Sequence, residues 1–319
     1  MTKQDLRIVF LGTPDFAVES LRQIVDNGFN VVGVVTMPDK PAGRGHKMYQ
    51  SPVKLFAVEH GLHVMQPVKL KDENFVEELR SLNADLFIVI AFRMLPEVVW
   101  TMPRLGTFNL HASLLPRYRG AAPINWAVIN GDTETGVTTF FLKHEIDTGD
   151  IIAQEKIAIL PTENVGDVHD HLMELGAKLT LRTINDIIAG TLSPIPQDKL
   201  IAETEPTPAP KIFKETCRID WSKDATSLHN LVRGLSPYPA AWSTLFDGET
   251  EIGAVKIFET KPLEATHGEP GSITIADSRI IVGCRDGSLE ILSLQAPGKR
   301  RISTSDYLRG AHLTAPHFK

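Results

Sequence analysis

Cysteine is the scarcest reactive residue in this chain, with two, Cys217 and Cys284, among 319 residues. Two thiols so far apart leave no disulfide framework and point to a reducing cytoplasm. They also lack the spacing of metal ligands, and the 11 histidines form no HExxH or Cys/His cluster, so no metal is implied. No window approaches the roughly 20 continuous apolar residues that a membrane helix needs. The start, MTKQDLRIVFLG, has no apolar h-region, so a signal peptide is not expected. Gly12-Thr13-Pro14 is not GxGxxG and no Walker A motif occurs, which argues against a dinucleotide or ATP site. Cationic excess is missing too: the net charge of −6 disfavours a general nucleic-acid binder.

What is present describes an ordinary soluble protein, 42% hydrophobic and 23% charged, with length enough for two domains. The acid excess is uneven. Residues 206–319 carry 14 Lys and Arg against 13 Asp and Glu, so the whole negative balance lies in 1–205. A near-neutral tail with local basic clusters can meet a polyanion that an acidic body repels.

Taken in order, Leu6 to Leu11 is an apolar run of the kind a buried parallel strand shows. Phe16, Leu21, Ile24 and Val25 keep helical spacing between Pro14 and Gly28. Val31 to Val35 then completes a right-handed βαβ unit. Residues 37–54, with three prolines and two glycines, predict an irregular loop holding Lys40, Arg44, His46, Lys47 and Lys54 against one acid, Asp39. Such a loop is either a solvated surface or a cationic finger for RNA. Further on, 72–82 predicts an amphipathic helix, 85–91 a strand, and 127–130 a short helix before Gly131. Val137 to Leu142 and an edge strand over 151–160 follow, then a core-facing helix over 165–188, with His169 and His171 on its surface. Five prolines in 193–210 predict a semi-rigid linker. Beyond it, a helix over 227–235 and short strands at about ten-residue spacing, over 254–260, 271–276, 279–284 and 288–294, suggest a small barrel or sandwich.

The chemistry concentrates in Thr107 to Ile124, TFNLHASLLPRYRGAAPI. Asn109 and His111 lie two apart, so on a strand both point to one face. Pro116, Gly120 and Pro123 stop the strand, leaving an amide and an imidazole at its end, where open α/β sheets bind ligands. Asp147 in HEIDTGDII sits in a loop closed by Gly149. Such residues at strand ends are ordinarily hydrogen-bonded structural groups. Alternatively they form a donor, a proton carrier and a carboxylate.

The run Asn109-x-His111-x-Ser113-Leu114-Leu115-Pro116 followed by Asp147-x-Gly149 resembles the signature of the folate-dependent formyltransferases. The similarity extends through FLGTPDF at 10–16, MPDKPAGRGHK at 37–47, SPVK at 51–54, RIDWS at 218–222, NLVRGLSPYPAAW at 230–242, Gly298-Lys299 and DYLRG at 306–310. This ordered set resembles the branch of the family that acts on charged initiator tRNA. The resemblance implies a Rossmann-like, mostly parallel sheet with helices on both faces (1–192), the linker (193–210), and an OB-like C-terminal barrel that binds tRNA (211–319). It implies 10-formyltetrahydrofolate as co-substrate, initiator methionyl-tRNA as partner, and a cytoplasmic monomer without metal. It assigns Asn109, His111 and Asp147 to catalysis, and Ser113, Leu114, Leu115 and Pro116 to folate. Arg44, Lys40, Lys47 and Lys299 are assigned to tRNA. The chain departs from the family at Phe92-Arg93, where relatives carry Tyr-Gly, and losing the glycine forbids easy positive φ there.

On this reading Asn109 and His111 stabilise the oxyanion of a tetrahedral adduct while Asp147 orients the imidazole and helps move a proton. Competing readings are a sugar-amine or purine-pathway formyltransferase, a formyl-folate hydrolase, and a non-catalytic tRNA-binding protein. The PAGRG loop and the region after Pro210 speak against the first group, and retention of all three polar residues against the last. A Ser-His-Asp hydrolase built on Ser113 fails because no GxSxG elbow surrounds it.

Overall fold

Seven strands form the first sheet, and the central ones are apolar on both faces. The computed structural model describes residues 1–42, 47–201, 205–265 and 268–319, apart from the side chains of Ala42, Lys47 and Ile201. The strands are β1 (Arg7–Gly12), β2 (Asn30–Val35), β3 (Val64–Met65), β4 (Leu86–Ile90), β5 (Thr107–His111), β6 (Glu134–Phe141) and β7 (Ile151–Ala158), in the order β7-β6-β5-β4-β1-β2-β3. β2 and β4 flank β1 in parallel, β5 joins β4 in parallel, and β6 runs antiparallel to β5. All five residues of β4 are buried, as expected of a strand covered on both faces.

Some helices begin on a capping side chain and others on a proline. α1 (Asp15–Asp26) buries Phe16, Ala17, Ser20, Leu21 and Ile24. α2 (Pro52–Glu59) begins inside the 37–54 stretch predicted to be irregular and runs beyond it, because Ser51 accepts the Lys54 N–H at 3.1 Å and Pro52 takes the first turn. α3 (Glu73–Ser81) is capped by Asp72, α4 (Glu97–Trp100) is a single turn, and α5 (Pro123–Ile129) opens on Pro123. α6 (Val165–Ala189) matches the predicted long helix. No helix among the described residues is long and apolar enough to cross a membrane.

The described residues form two compact units: 1–120 with 136–157 and 169–208, and 121–135 with 158–168 and 209–319. In the second, α7 (Ala225–Leu235) lies against α5, with the Asn125 amide donating to Gly234 O at 2.9 Å. Strands β8 (Ala241–Asp247), β9 (Thr250–Leu263), β10 (Ile273–Ala276), β11 (Arg279–Gly283), β12 (Ser288–Gln295), β13 (Ile302–Ser303) and β14 (Pro316–Phe318) follow, with α8 (Thr304–Gly310) before the last. Their order is β10-β11-β12-β9-β8-β14, with β13 beside β12, and every pairing is antiparallel. Phe318 N donates to Gly271 O at 2.8 Å, bringing the two ends of the sheet together as a nearly closed barrel. Val255, Ile257, Val282, Leu289, Ile291 and Leu294 fill it.

Candidate active site

β5 ends at His111, between β4 and β6, and its last residues set the site. Asn109 and His111 occupy alternate positions, as the spacing predicts. His111 is 7% exposed, and its Nε2 lies 2.8 Å from Tyr118 O. A carbonyl only accepts, so Nε2 carries a proton and Nδ1 is the ring nitrogen left for another partner. Nδ1 faces Asp147 Oδ2 at 4.0 Å, near but longer than a hydrogen bond. The contact that orients the ring is therefore Tyr118's carbonyl, whereas the sequence reading gave that task to Asp147. The Asn109 amide is half-buried and has no hydrogen-bond partner among the described residues.

Asp147 is held in a costly conformation. Its φ is +54°, a left-handed backbone that costs a non-glycine residue about 1–2 kcal/mol. Its Oδ2 accepts the Gly120 N–H at 2.9 Å. Two residues on, a Cβ at Gly149 would stand 1.5 Å from Phe141 O, so only glycine lets the loop fold back this tightly. Gln197 completes the arrangement. It is 2% exposed, and its Nε2 donates to Asp147 O and Gly149 O, both at 2.9 Å. Its Oε1 accepts from Arg119 Nε and Nη2, at 3.2 and 2.6 Å.

The turn after β5 is fixed by a buried polar web. Thr138 Oγ1 donates to Ser113 O at 2.6 Å and accepts from Gln154 Nε2 at 2.9 Å. The Ser113 hydroxyl is wholly buried and donates to Arg117 O at 2.7 Å, so it is no exposed nucleophile. Leu115 and Pro116 are buried and Leu114 half-buried; Leu115 packs with Phe140 and Ile151. At the Phe92-Arg93 departure neither residue has a positive φ, whereas Ala91 before them takes φ +46°. Arg93 itself ties Nη1 to Val68 O at 2.8 Å and Nη2 to Pro67 O, and burial lowers its pKa.

Of the cations assigned to tRNA, Lys40 is exposed, while Arg44 and the Lys47 side chain lie outside the described residues. Lys40–Ala42 and Lys47–Tyr49 pair as an antiparallel ribbon. Lys54 is not a free cation. It meets Asp39 at 2.6 Å, and with Gln66 and Gln50 it holds that carboxyl down to about 2. Lys299 is exposed in the barrel unit and lines an open cleft with Arg300, Tyr307 and Arg309.

Gln197 is the residue that sequence reasoning missed. It sits in the proline-rich segment read as a linker, which is instead tied down: Ile195 exchanges two 2.8 Å backbone bonds with Ile151, and Thr207 O accepts from Arg119 N at 3.1 Å. Nothing in SPIPQDK marks the glutamine, because its partners lie 48 to 78 residues earlier.

Known proteins match both parts of the chain in sequence. The formyl transferase family matches residues 6–184, and the formyl transferase C-terminal domain matches residues 211–312. A methionyl-tRNA formyltransferase of Bacteroides fragilis is 61% identical over 316 residues, covering 98% of both chains. One from Porphyromonas gingivalis is 49% identical, over 99% of this chain and 98% of its own. A solved N-formyltransferase from Helicobacter canadensis, in complex with folinic acid and dTDP-3-aminofucose, shares the fold at TM-score 0.66 and 20% identity, covering 93% of this chain and all of that one. With more than half its length matched and relatives similar from end to end, the chain belongs to the formyl transferase family.

Proposed function

We propose that the chain moves a formyl group from 10-formyltetrahydrofolate to the free amino group of methionine on initiator methionyl-tRNA, giving formylmethionyl-tRNA for translation initiation. The observation that carries this reading is the open pair of His111 and Asp147, 4.0 Å apart, with His111 on the strand end that also bears Asn109 and Asp147 in the loop after β6. End-to-end likeness to methionyl-tRNA formyltransferases supports the choice of acceptor.

The amine attacks the formyl carbon and the carbonyl electrons move to oxygen. Asn109 donates its amide hydrogen to that oxyanion, a contact worth about 3 kcal/mol in comparable sites. His111, with Nε2–H committed to Tyr118, uses Nδ1 to take the proton released by the attacking nitrogen. The Asp147 carboxylate stabilises the imidazolium so formed. As the tetrahedral carbon collapses, the same proton passes to the departing folate nitrogen, so one proton moves from one nitrogen to the other and no covalent enzyme intermediate is needed. A water or the substrate amine that bonds both Nδ1 and Oδ2 lies beside the line joining them, because 4.0 Å leaves no room for a heavy atom within it.

In this reading residues 1–192 carry the chemistry, 193–210 join the parts, and 211–319 meet the tRNA. Ser113, Leu114, Leu115 and Pro116 shape the folate wall through the backbone path they set. Lys40, Arg44, Lys47 and Lys299 meet phosphates, and the substrate needs no metal. The test is to incubate purified protein with formyl-folate and methionine-charged initiator tRNA and to look for blocked amino termini. Formylation of an amino-sugar nucleotide instead would move the chain to another branch of the family.

A further inference from the structure

We propose that Gln197 is a positioning residue for the reaction: its buried amide clamps the 147–149 loop and so sets the Asp147 carboxylate opposite His111. The inference rests on the role given above to Asp147. Four hydrogen bonds meet at this one amide. The two N–H groups go to Asp147 O and Gly149 O, and the oxygen receives the Arg119 fork. Every donor and acceptor of the side chain is thus in use, in a residue 2% exposed.

The clamp acts on the backbone of the residue whose side chain faces the imidazole. Asp147 stands in the left-handed region, a conformation that persists only when its surroundings over-determine it. One restraint is its own Oδ2, tied to Gly120 N. Gln197 restrains the carbonyl of the same residue and, through Arg119, reaches the residue preceding Gly120. A single side chain therefore bridges the two segments that fix the carboxylate. Its own position is secured by the paired bonds between Ile195 and Ile151, and by Leu200 packed on Leu115, Phe140 and Ile151. Without the clamp, the left-handed residue relaxes and the carboxylate leaves its place.

The experiment measures single-turnover formylation by the full-length protein, using formyl-folate and methionine-charged initiator tRNA. It compares wild type, Gln197→Met, Gln197→Glu, Asp147→Asn and the double variant Gln197→Met/Asp147→Asn, each normalised to its folded fraction. Gln197→Met keeps the volume and loses all four bonds; a loss of about 10²-fold in rate is expected, the size that a misplacement of about 1 Å produces. The KM values of both substrates should move by less than about threefold, because the clamp serves the chemical step rather than binding. Gln197→Glu keeps the acceptor for Arg119 but turns an oxygen toward two carbonyls, and should lose at least as much. In the Asp147→Asn background, Gln197→Met should cost nothing further, since residues acting through one another are not additive.

A Gln197→Glu rate near wild type would overturn the proposal, leaving only the Arg119 contact. Additive losses in the double variant would also overturn it, by assigning Gln197 to general stability, and so would failure of both Gln197 variants to fold. If Asp147→Asn itself turns over normally, the role given to Asp147 fails first. If Asp147→Asn is impaired and Gln197→Met is not, only the present inference falls.

Discussion

Two acidic side chains of nearly equal exposure, one in each unit, are treated in opposite ways. Glu290 in the barrel is 11% exposed and closes on Arg279 through two bonds, both 2.7 Å. Asp147 is 12% exposed and stops 4.0 Å short of His111. Glu290 and Arg279 project from neighbouring strands β12 and β11, so their fork-to-fork contact follows from sheet pairing and needs nothing distant. Asp147 is held by Gly120, whose N–H takes one lone pair of the same Oδ2 that faces the imidazole, and by Gln197, which bonds only its backbone carbonyl. A closed pair commits both charges to each other; the open pair leaves the ring nitrogen and the carboxylate without a direct bond between them.

The largest expected effect tests the open side. Asn109→Ala and His111→Ala should each lower kcat by about 10²–10⁴-fold, as loss of an oxyanion donor or a general base does. Single-turnover rates with both substrates bound decide this, and a near-normal rate would make the site no more open than the barrel pair. Next comes the barrel core. Ile257→Ala removes a wholly buried side chain and should cost about 2–5 kcal/mol in urea unfolding, with kcat per folded molecule unchanged.

Breaking the closed pair should do less. Arg279 lowers the Glu290 pKa, so the contact stabilises fully above the ordinary carboxylate range and fades as pH falls through the lowered value. Glu290→Gln should therefore cost about 1 kcal/mol near neutrality, since Arg279 remains partly solvated, and the difference from wild type should shrink toward pH 3. Urea midpoints at several pH values would show it, and a pH-independent difference would mean the charge is irrelevant. Smaller still, Lys299→Ala should weaken tRNA binding modestly and reduce the slope of log affinity against log salt by about one phosphate contact. An unchanged slope would remove Lys299 from the interface.

How much of this was legible in the sequence depended on how local the cause was. α1 and α6 appear where predicted, because apolar spacing and chain-stopping glycines lie within the segments themselves. α2 escaped notice although its start is written in Ser51-Pro52, since prolines and basic residues around it dominate the composition. β8 was overlooked for another reason. Its buried positions are Ala241, Ser243 and Leu245, while the larger Trp242 and Phe246 are only half-buried, so the apolar alternation is masked. The placement of Asn109, His111 and Asp147 could be read from a motif, but the 193–210 segment could not. Composition describes the prolines well and is blind to one glutamine bonded across 50 residues.

The sequence by itself determined most of the strands and helices and a change of character at the proline-rich stretch, and it marked Asn109, His111 and Asp147 as candidates, because periodicity, composition and motif spacing are properties of short stretches. Only the tertiary structure decided that Tyr118 orients the imidazole, that Lys54 is neutralised by Asp39, and that Gln197 holds the Asp147 loop. Those are contacts between groups brought close by packing, and a hydrogen bond of 3 Å leaves no trace in the spacing of the residues that make it.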